Sequence, residues 1–351
     1  MQQVLRNSAK IYCGLDFHKN TCTLCVLDEK GGAVEPITKI QTGRLLQYLS
    51  NRKGWKIGIE ASGGVNHVVE QMKAQGHEVV IVNPNKFRGI GIGGKKTDSR
   101  DAEALANALR LSFIPEVHQR SRYAREVKSL LTSREHIVQS RSSMMCHVRS
   151  TMREYGITMP AGAEHFYSLA RTKVDEIENG FIKITLLSMI EIIDHLKAQE
   201  GETEVRLREF TKNDERVERF QSAPGVGLMS ALAMIAVVDD IERFPNAKSF
   251  AAYLGLVPSV TASANKCMMG SITRSGSEML RRYLIHGARA WMRYNPAGDP
   301  NRSWAERVKD RRGMNKAVVA LAHRMARILY AMAKHKSVYQ APGKSEEQPA
   351  A

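Results

Sequence analysis

IYCGLDFHKNTCTLCVLDEKGGAVEPITKIQ, residues 11–41, is the stretch that decides the fold. Residues 11–17 (IYCGLDF), 21–27 (TCTLCVL) and roughly 34–41 alternate or cluster apolar residues as β-strands do. The connections at His18-Lys19-Asn20 and Glu29-Lys30-Gly31-Gly32 are short and polar, so the chain is expected to open as an antiparallel meander. Beyond it come a helical stretch near 42–52, an apolar segment ending at Glu60 (WKIGIE), a helix over about 65–75, and the strand HEVVIVN at 77–83. This is α/β alternation.

Three strands followed by β-α-β is the order of the RNase H-like superfold, which we expect over residues 1–115. After Pro84 a Gly- and Lys-rich loop, GIGIGGKKTDS (89–99), leads into DAEALANALR, whose alanines and leucines at helical spacing predict a helix. Residues 122–155 read as a basic helix in which Arg134, Arg141 and Arg149 recur every seven or eight residues opposite an apolar side, with Gly156 closing it. Between 165 and 212 the spacing of Ile182, Leu186, Met189, Ile193 and Leu196 is that of an a/d seam. It suits either a strut or dimer interface, roughly 60 Å long at 1.5 Å per residue, or a hairpin folded back on 122–155. The organisation expected is thus an α/β domain at 1–115, an all-α linker of long basic helices at 116–212, a helical domain at 213–335 and a disordered polar tail at 336–351.

The 351 residues carry 52 Lys and Arg against 36 Asp and Glu, a formal charge of +16 that points to a polyanion, nucleic acid first, as partner. The N-terminus lacks a signal-peptide pattern and the longest apolar stretch, Leu228 to Val238, is too short to span a bilayer, so a cytoplasmic, nucleoid-associated protein without a membrane partner is expected. Five irregularly spaced cysteines imply reduced thiols. Cys22-x-x-Cys25 lies in a strand pattern without a second ligand pair, which argues against zinc.

Four carboxylates stand out by position: Asp16 in the first strand, Glu60 at a strand end, and Asp98 and Asp101 three apart at a helix start. An i, i+3 pair shares one helical face. Converging acids without histidine or cysteine partners suit Mg²⁺, with Mn²⁺ as a substitute, and two such ions stabilise the attacking and leaving oxygens of phosphoryl transfer. His18 and Lys19 follow Asp16 either as contacts to a phosphate or as a surface turn. Farther on, Ala223-Pro224-Gly225-Val226-Gly227 reads as the turn of a helix-hairpin-helix, with Gly225 and Gly227 letting backbone N–H groups approach a phosphate.

GLDFHKN (14–20), GIEASGG (58–64), VNPNKFRG (82–89) and KKTDSRDAEALA (95–106) resemble the N-terminal motifs of the DEDD insertion-sequence transposases, the group related to the pilin-gene invertase. HVRSTMREYGI (147–157), APGVG (223–227), AAYLGLVPS (251–259) and GSITRSGSEMLRRYL (270–284) resemble further motifs of that family in the same order. The resemblance implies an RNase H-like, RuvC-like catalytic domain in which Asp16, Glu60, Asp98 and Asp101 bind the metal. It also implies a serine nucleophile that forms a phosphoserine link to DNA. Counting from the GL-x-P motif puts that serine at Ser263, followed here by Ala264 where the family has glycine. Ser259 and Ser271 compete for the role, with Thr261 and Thr273 behind them.

A guide RNA encoded by the element is likewise implied, and strand exchange calls for a homodimer or tetramer. Lys95, Lys96, Arg134, Arg141, Arg149, Lys266, Arg274, Arg281 and Arg282 are the expected side-chain contacts to DNA or RNA. Cys267, Met268 and Met269 read as packing residues within a polar loop. The alternative function is a water-using, Mg²⁺-dependent endonuclease resembling a Holliday-junction resolvase, which would need the acids and no serine.

Overall fold

The alternation in residues 11–41 folds into three antiparallel strands, β1 (Tyr12–Phe17), β2 (Thr21–Leu27) and β3 (Ala33–Gln41). After α1 (Leu45–Ser50) come β4 (Lys56–Glu60), α2 (Val65–Ala74) and β5 (Glu78–Val82), and β4 and β5 add in parallel to give the order β3-β2-β1-β4-β5. The computed structural model describes residues 10–88, 97–263 and 266–341. The chain divides into two compact units, one ending at Gln119 and one beginning at Arg120.

In the first unit, period two sorts the sheet residues onto two faces. Cys13, Leu15, Cys22, Leu24, Ile57 and Ile59 bury themselves on one face, with α1 and α2 residues such as Leu49 and Val69. Gly14, Cys25, Leu27 and Gly58 turn to the other, which α4 (Asp98–Arg110) covers; a short helix, α3 (Pro84–Arg88), precedes it, and residues 89–96 of the loop expected over 89–99 lie outside the described residues. Cys22 and Cys25 therefore belong to opposite cores. Gly14 permits the contact with α4: a Cβ there would stand 1.9 Å from the Ala102 carbonyl oxygen and 2.5 Å from the Ala106 nitrogen.

The second unit is built on α5 (Arg122–Glu154), α6 (Ala163–Asp175) and α7 (Gly180–Phe210). The single helical region expected over 165–212 is interrupted before Asn179, whose side chain accepts from the Phe181 and Ile182 amides and starts α7. Of the two readings of the seam, the hairpin is observed. Leu186 and Ile193 are buried with Met145, Val148 and Met152 of α5, and Ile182 and Met189 pack against the same cluster.

The remaining elements are α8 (Glu215–Gln221), α9 (Leu228–Val238), α10 (Ala247–Tyr253), the hairpin β6 (Pro258–Ser263) and β7 (Lys266–Ile272), α11 (Glu278–Tyr294), α12 (Pro300–Arg312) and α13 (Met314–His335). α9, LMSALAMIAVV, is apolar on all sides and is accordingly the central, fully enclosed helix. Val127, Leu131 and Leu207 join its core, so α5 belongs to two hydrophobic clusters at once.

The hairpin corrects the expectation of a polar loop at 258–272, and Met268 and Met269, expected to pack, are 68% and 76% exposed. Among the described residues no helix is long and apolar enough to cross a membrane.

Candidate active site

The register of the sheet sets a row of functional side chains on the face under α4. Asp16 of β1 pairs with Thr23 of β2, and Thr23 pairs with Lys39 of β3. On the other side Leu15 pairs with Ile59, so Asp16 and Glu60 come next along the parallel strands. Directly paired residues point to the same face. Glu60, Asp16, Thr23 and Lys39 thus cross four strands in one line, ending on an edge strand.

α4 brings its first turn to this line. Thr97 caps the helix by accepting from the Arg100 amide at 3.4 Å, and Asp98 and Asp101 occupy the first turn, where the helix dipole favours negative charge. Ala102, Leu105, Ala106 and Leu109 bury the face below, which fixes the register of the acids over the sheet. Donor atoms of Asp16, His18 and Asp98 all lie within 4.8 Å of one another. His18 Nε2 stands 3.1 Å from Asp16 Oδ2, and Lys39 Nζ donates to Asp98 Oδ2 at 2.8 Å.

Burial raises the Asp16 carboxyl above its ordinary value; His18 opposes this, and the negative charges of Asp98 and Asp101 add to it. The Lys39 ammonium holds Asp98 below the usual carboxylate range. A half-buried carboxylate pressed by like charges is a site that gains from a cation. The two carboxylates are oxygen donors fit for a divalent ion of the Mg²⁺ or Mn²⁺ type, with the His18 imidazole beside them as a partner of Asp16.

The sequence points to acids alone, whereas His18 lies inside the cluster. Lys39 carries no signal of its own in the sequence, because only the register through Thr23 reveals its place. Glu60 shares the row, and Asp101 acts on Asp16 through its charge, but neither joins the close group.

In the second unit Ser263 ends β6, opposite Lys266 in the hairpin register, and the side chains of both lie outside the described ones. Lys95 and Lys96 lie outside the described residues. Of the competing hydroxyls, Ser259 Oγ sits over Gly270, 2.5 Å from where a Cβ would be, Ser271 is exposed on β7, and Thr273 Oγ1 is 3.1 Å from Ser275 Oγ.

The base of the hairpin is tightly built. Gly255 and Gly276, with φ of +66° and +72°, allow the Tyr253–Gly255 and Arg274–Gly276 backbones to touch, since Cβ atoms there would lie 2.4 Å from the Ser275 oxygen and 1.9 Å from the Tyr253 oxygen. Arg281, buried, donates to the carbonyls of Leu254 (3.1 Å) and Ser275 (2.9 Å) and locks the two segments together. Between them Arg274 is exposed and holds φ +56°, unusual for a residue other than glycine.

Most of the arginines expected to meet nucleic acid have internal partners. Arg134 donates to Glu200 and Glu204, both at 2.8 Å, and Arg141 to Glu200 at 3.0 Å and the Tyr167 hydroxyl at 3.1 Å. Arg149 bonds the Gly162 carbonyl and lies over the Phe166 ring, and Arg282 pairs with Glu135. Of the three recurring arginines of α5, Arg134 and Arg141 meet acids of α7, while Arg149 meets a backbone carbonyl and a ring. Gly225, φ +74°, also has an internal reason: a Cβ would stand 2.2 Å from the Gly287 oxygen on α11. Gly227 precedes α9 with open space around it.

Comparison with known proteins gives a consistent answer across the chain. Residues 13–157 match the DEDD family of IS110, described as "Transposase", and residues 217–301 match "Transposase IS116/IS110/IS902 family". The transposase for insertion sequence element IS1111A of Coxiella burnetii is 32% identical over 93% of this chain and 90% of its own length. A probable family 20 transposase of Pseudomonas aeruginosa is 30% identical over 82% and 86%. The transposase for IS1328 of Yersinia enterocolitica is 24% identical over 93% and 97%. The row of acids under α4 occurs within the first match, the hairpin within the second, and the chain belongs to the IS110/IS116 family of insertion-sequence transposases, enzymes that cut and rejoin DNA.

Proposed function

We propose that this transposase moves its element by serine-dependent strand exchange supported by Mg²⁺ at Asp16, Glu60, Asp98 and Asp101. The observation that carries the metal half is the convergence of Asp16, His18 and Asp98 within 4.8 Å, with Glu60 in the same row. The sheet order and its α4 cover support an RNase H-like, RuvC-like reading of residues 1–115, and α8, the Ala223–Gly227 turn and α9 support a helix-hairpin-helix. A bound divalent ion supplies charge stabilisation to a phosphate in transfer. Asp16 and Asp98 would hold such an ion, and His18, 3.1 Å from Asp16, would orient that carboxylate.

Ser263 is assigned as nucleophile. Its Oγ loses a proton and forms a bond to phosphorus as the bond from phosphorus to the leaving deoxyribose oxygen breaks, and that oxygen takes up a proton. The phosphodiester energy is kept in the phosphoserine link, so an incoming strand's hydroxyl reverses the step without a high-energy cofactor. Guidance by an element-encoded RNA, kinship with the pilin-gene invertase and action as a dimer or tetramer belong to the same reading.

The test is incubation of the protein with element-end DNA, flanking RNA and Mg²⁺, followed by denaturing electrophoresis. A protein–DNA adduct in the wild type, lost in both Ser263→Ala and Asp16→Ala, is the expected result. Cleavage without adduct that survives Ser263→Ala but not Asp16→Ala would make the protein a water-using, resolvase-like nuclease.

A further inference from the structure

Lys39 is placed by three separate facts. Its strand register aligns it with Asp16 through Thr23, which is 2% exposed, so its side chain leaves the sheet on the face that carries the acids. Its ammonium reaches Asp98 on α4, a residue 59 positions away, at 2.8 Å. The pair is open to solvent, with Lys39 57% and Asp98 43% exposed. An exposed pair of this kind contributes little stability and is readily broken.

We propose that Lys39 is a tethered rival of the divalent cation at Asp98, and that the ammonium, once displaced, is handed to a phosphate oxygen of the DNA strand. The inference rests on the metal reading above. Lys39 takes one oxygen of the Asp98 carboxylate on which a metal in this group would also draw, and the two cations repel, so they compete. β3 is an edge strand, which leaves the long side chain room to swing outward from the row. The lysine thereby ties two events together: without metal it screens the acids from one another, and with metal it adds one positive charge where a phosphodiester must lie. A phosphate contact by a point charge suits lysine better than a carboxylate clamp would.

The experiment uses the full chain. Divalent-cation binding without DNA is measured by Mn²⁺ paramagnetic resonance for wild type, Lys39→Gln and Lys39→Arg, with Asp16→Asn as the control for the site. Loss of one competing exposed pair is expected to tighten Mn²⁺ binding about two- to fivefold in Lys39→Gln, while Lys39→Arg stays near wild type. DNA affinity is then followed against salt with Ca²⁺ or with chelator. Lys39→Gln is expected to lower the salt slope by about 0.9 with Ca²⁺ and to leave it unchanged with chelator. Equal Mn²⁺ affinity in wild type and Lys39→Gln, or a slope difference that ignores Ca²⁺, overturns the role of Lys39 and leaves the metal site standing. Mn²⁺ binding that Asp16→Asn does not weaken overturns the metal reading itself.

Discussion

The two units treat charge in opposite ways. Under α4, the negative charges of Asp98 and Asp101 press on the half-buried Asp16 carboxyl, with the His18 imidazole and the Lys39 ammonium beside them. Along α5 and α7, by contrast, Arg134 and Arg141 meet Glu200 and Glu204 and are settled within the fold. Uncompensated like charge costs stability and persists where chemistry needs it, while compensated charge is architecture. The formal charge of +16 therefore counts paired and exposed cations alike.

Asp16→Asn is the sharpest way to break this contrast. It is expected to lower strand cleavage by about 10³-fold or more, yet to leave the melting temperature unchanged or higher, because it relieves a carboxylate that burial and its neighbours disfavour. A large loss of melting temperature would turn Asp16 into a structural residue.

Gly225→Ala should do the reverse. Its Cβ would overlap the Gly287 backbone at a positive φ, and we expect a loss of about 3 kcal/mol or more in chemical denaturation. A mild effect there, with DNA binding reduced, would return Gly225 to the phosphate-contacting role read from its motif.

Arg134→Met takes its partner from half-buried Glu204 and leaves Glu200 to Arg141, at a cost of about 2 kcal/mol, with the salt slope of DNA binding unchanged. Exposed, strained Arg274 offers the opposite pattern: Arg274→Ala is expected to leave the melting temperature in place and to lower that slope by about 0.9. If the two results were exchanged, the distinction between internally paired and exposed arginines would fail.

The smallest effect concerns Asp214, which caps α8 and binds Arg216 through both carboxylate oxygens. Burial pushes its carboxyl up, but the Arg216 bonds and charge outweigh burial and hold it below 3.8. Its stabilisation is therefore complete above the unfolded value and is lost as pH falls through the lowered folded one. Asp214→Asn should cost about 1 kcal/mol at pH 7, and melting curves of the two proteins should converge in strong acid.

The meander was legible because β1 and β2 are half-buried or buried strands, and burial writes itself as a pattern. The hairpin at 258–272 was not, because Val260, Met268 and Met269 face solvent and so do not write burial as alternation. The acids were legible singly by their places at strand and helix ends. Lys39 was not, since its role depends on two strand registers and a helix start 59 residues on. Arg134 misled for a related reason: a basic stripe looks the same in sequence whether phosphate or glutamate answers it.

α5 has a mechanical consequence. Its 33 residues span about 50 Å. One end is set in the cluster of Val127 and Leu131, and the other in that of Met145, Val148 and Met152. The span between, around Arg134 and Arg141, is braced to α7 by ion pairs. A beam clamped at both ends and braced at mid-span by ion pairs that are largely buried, and so little screened by salt, carries torsion from one anchorage to the other.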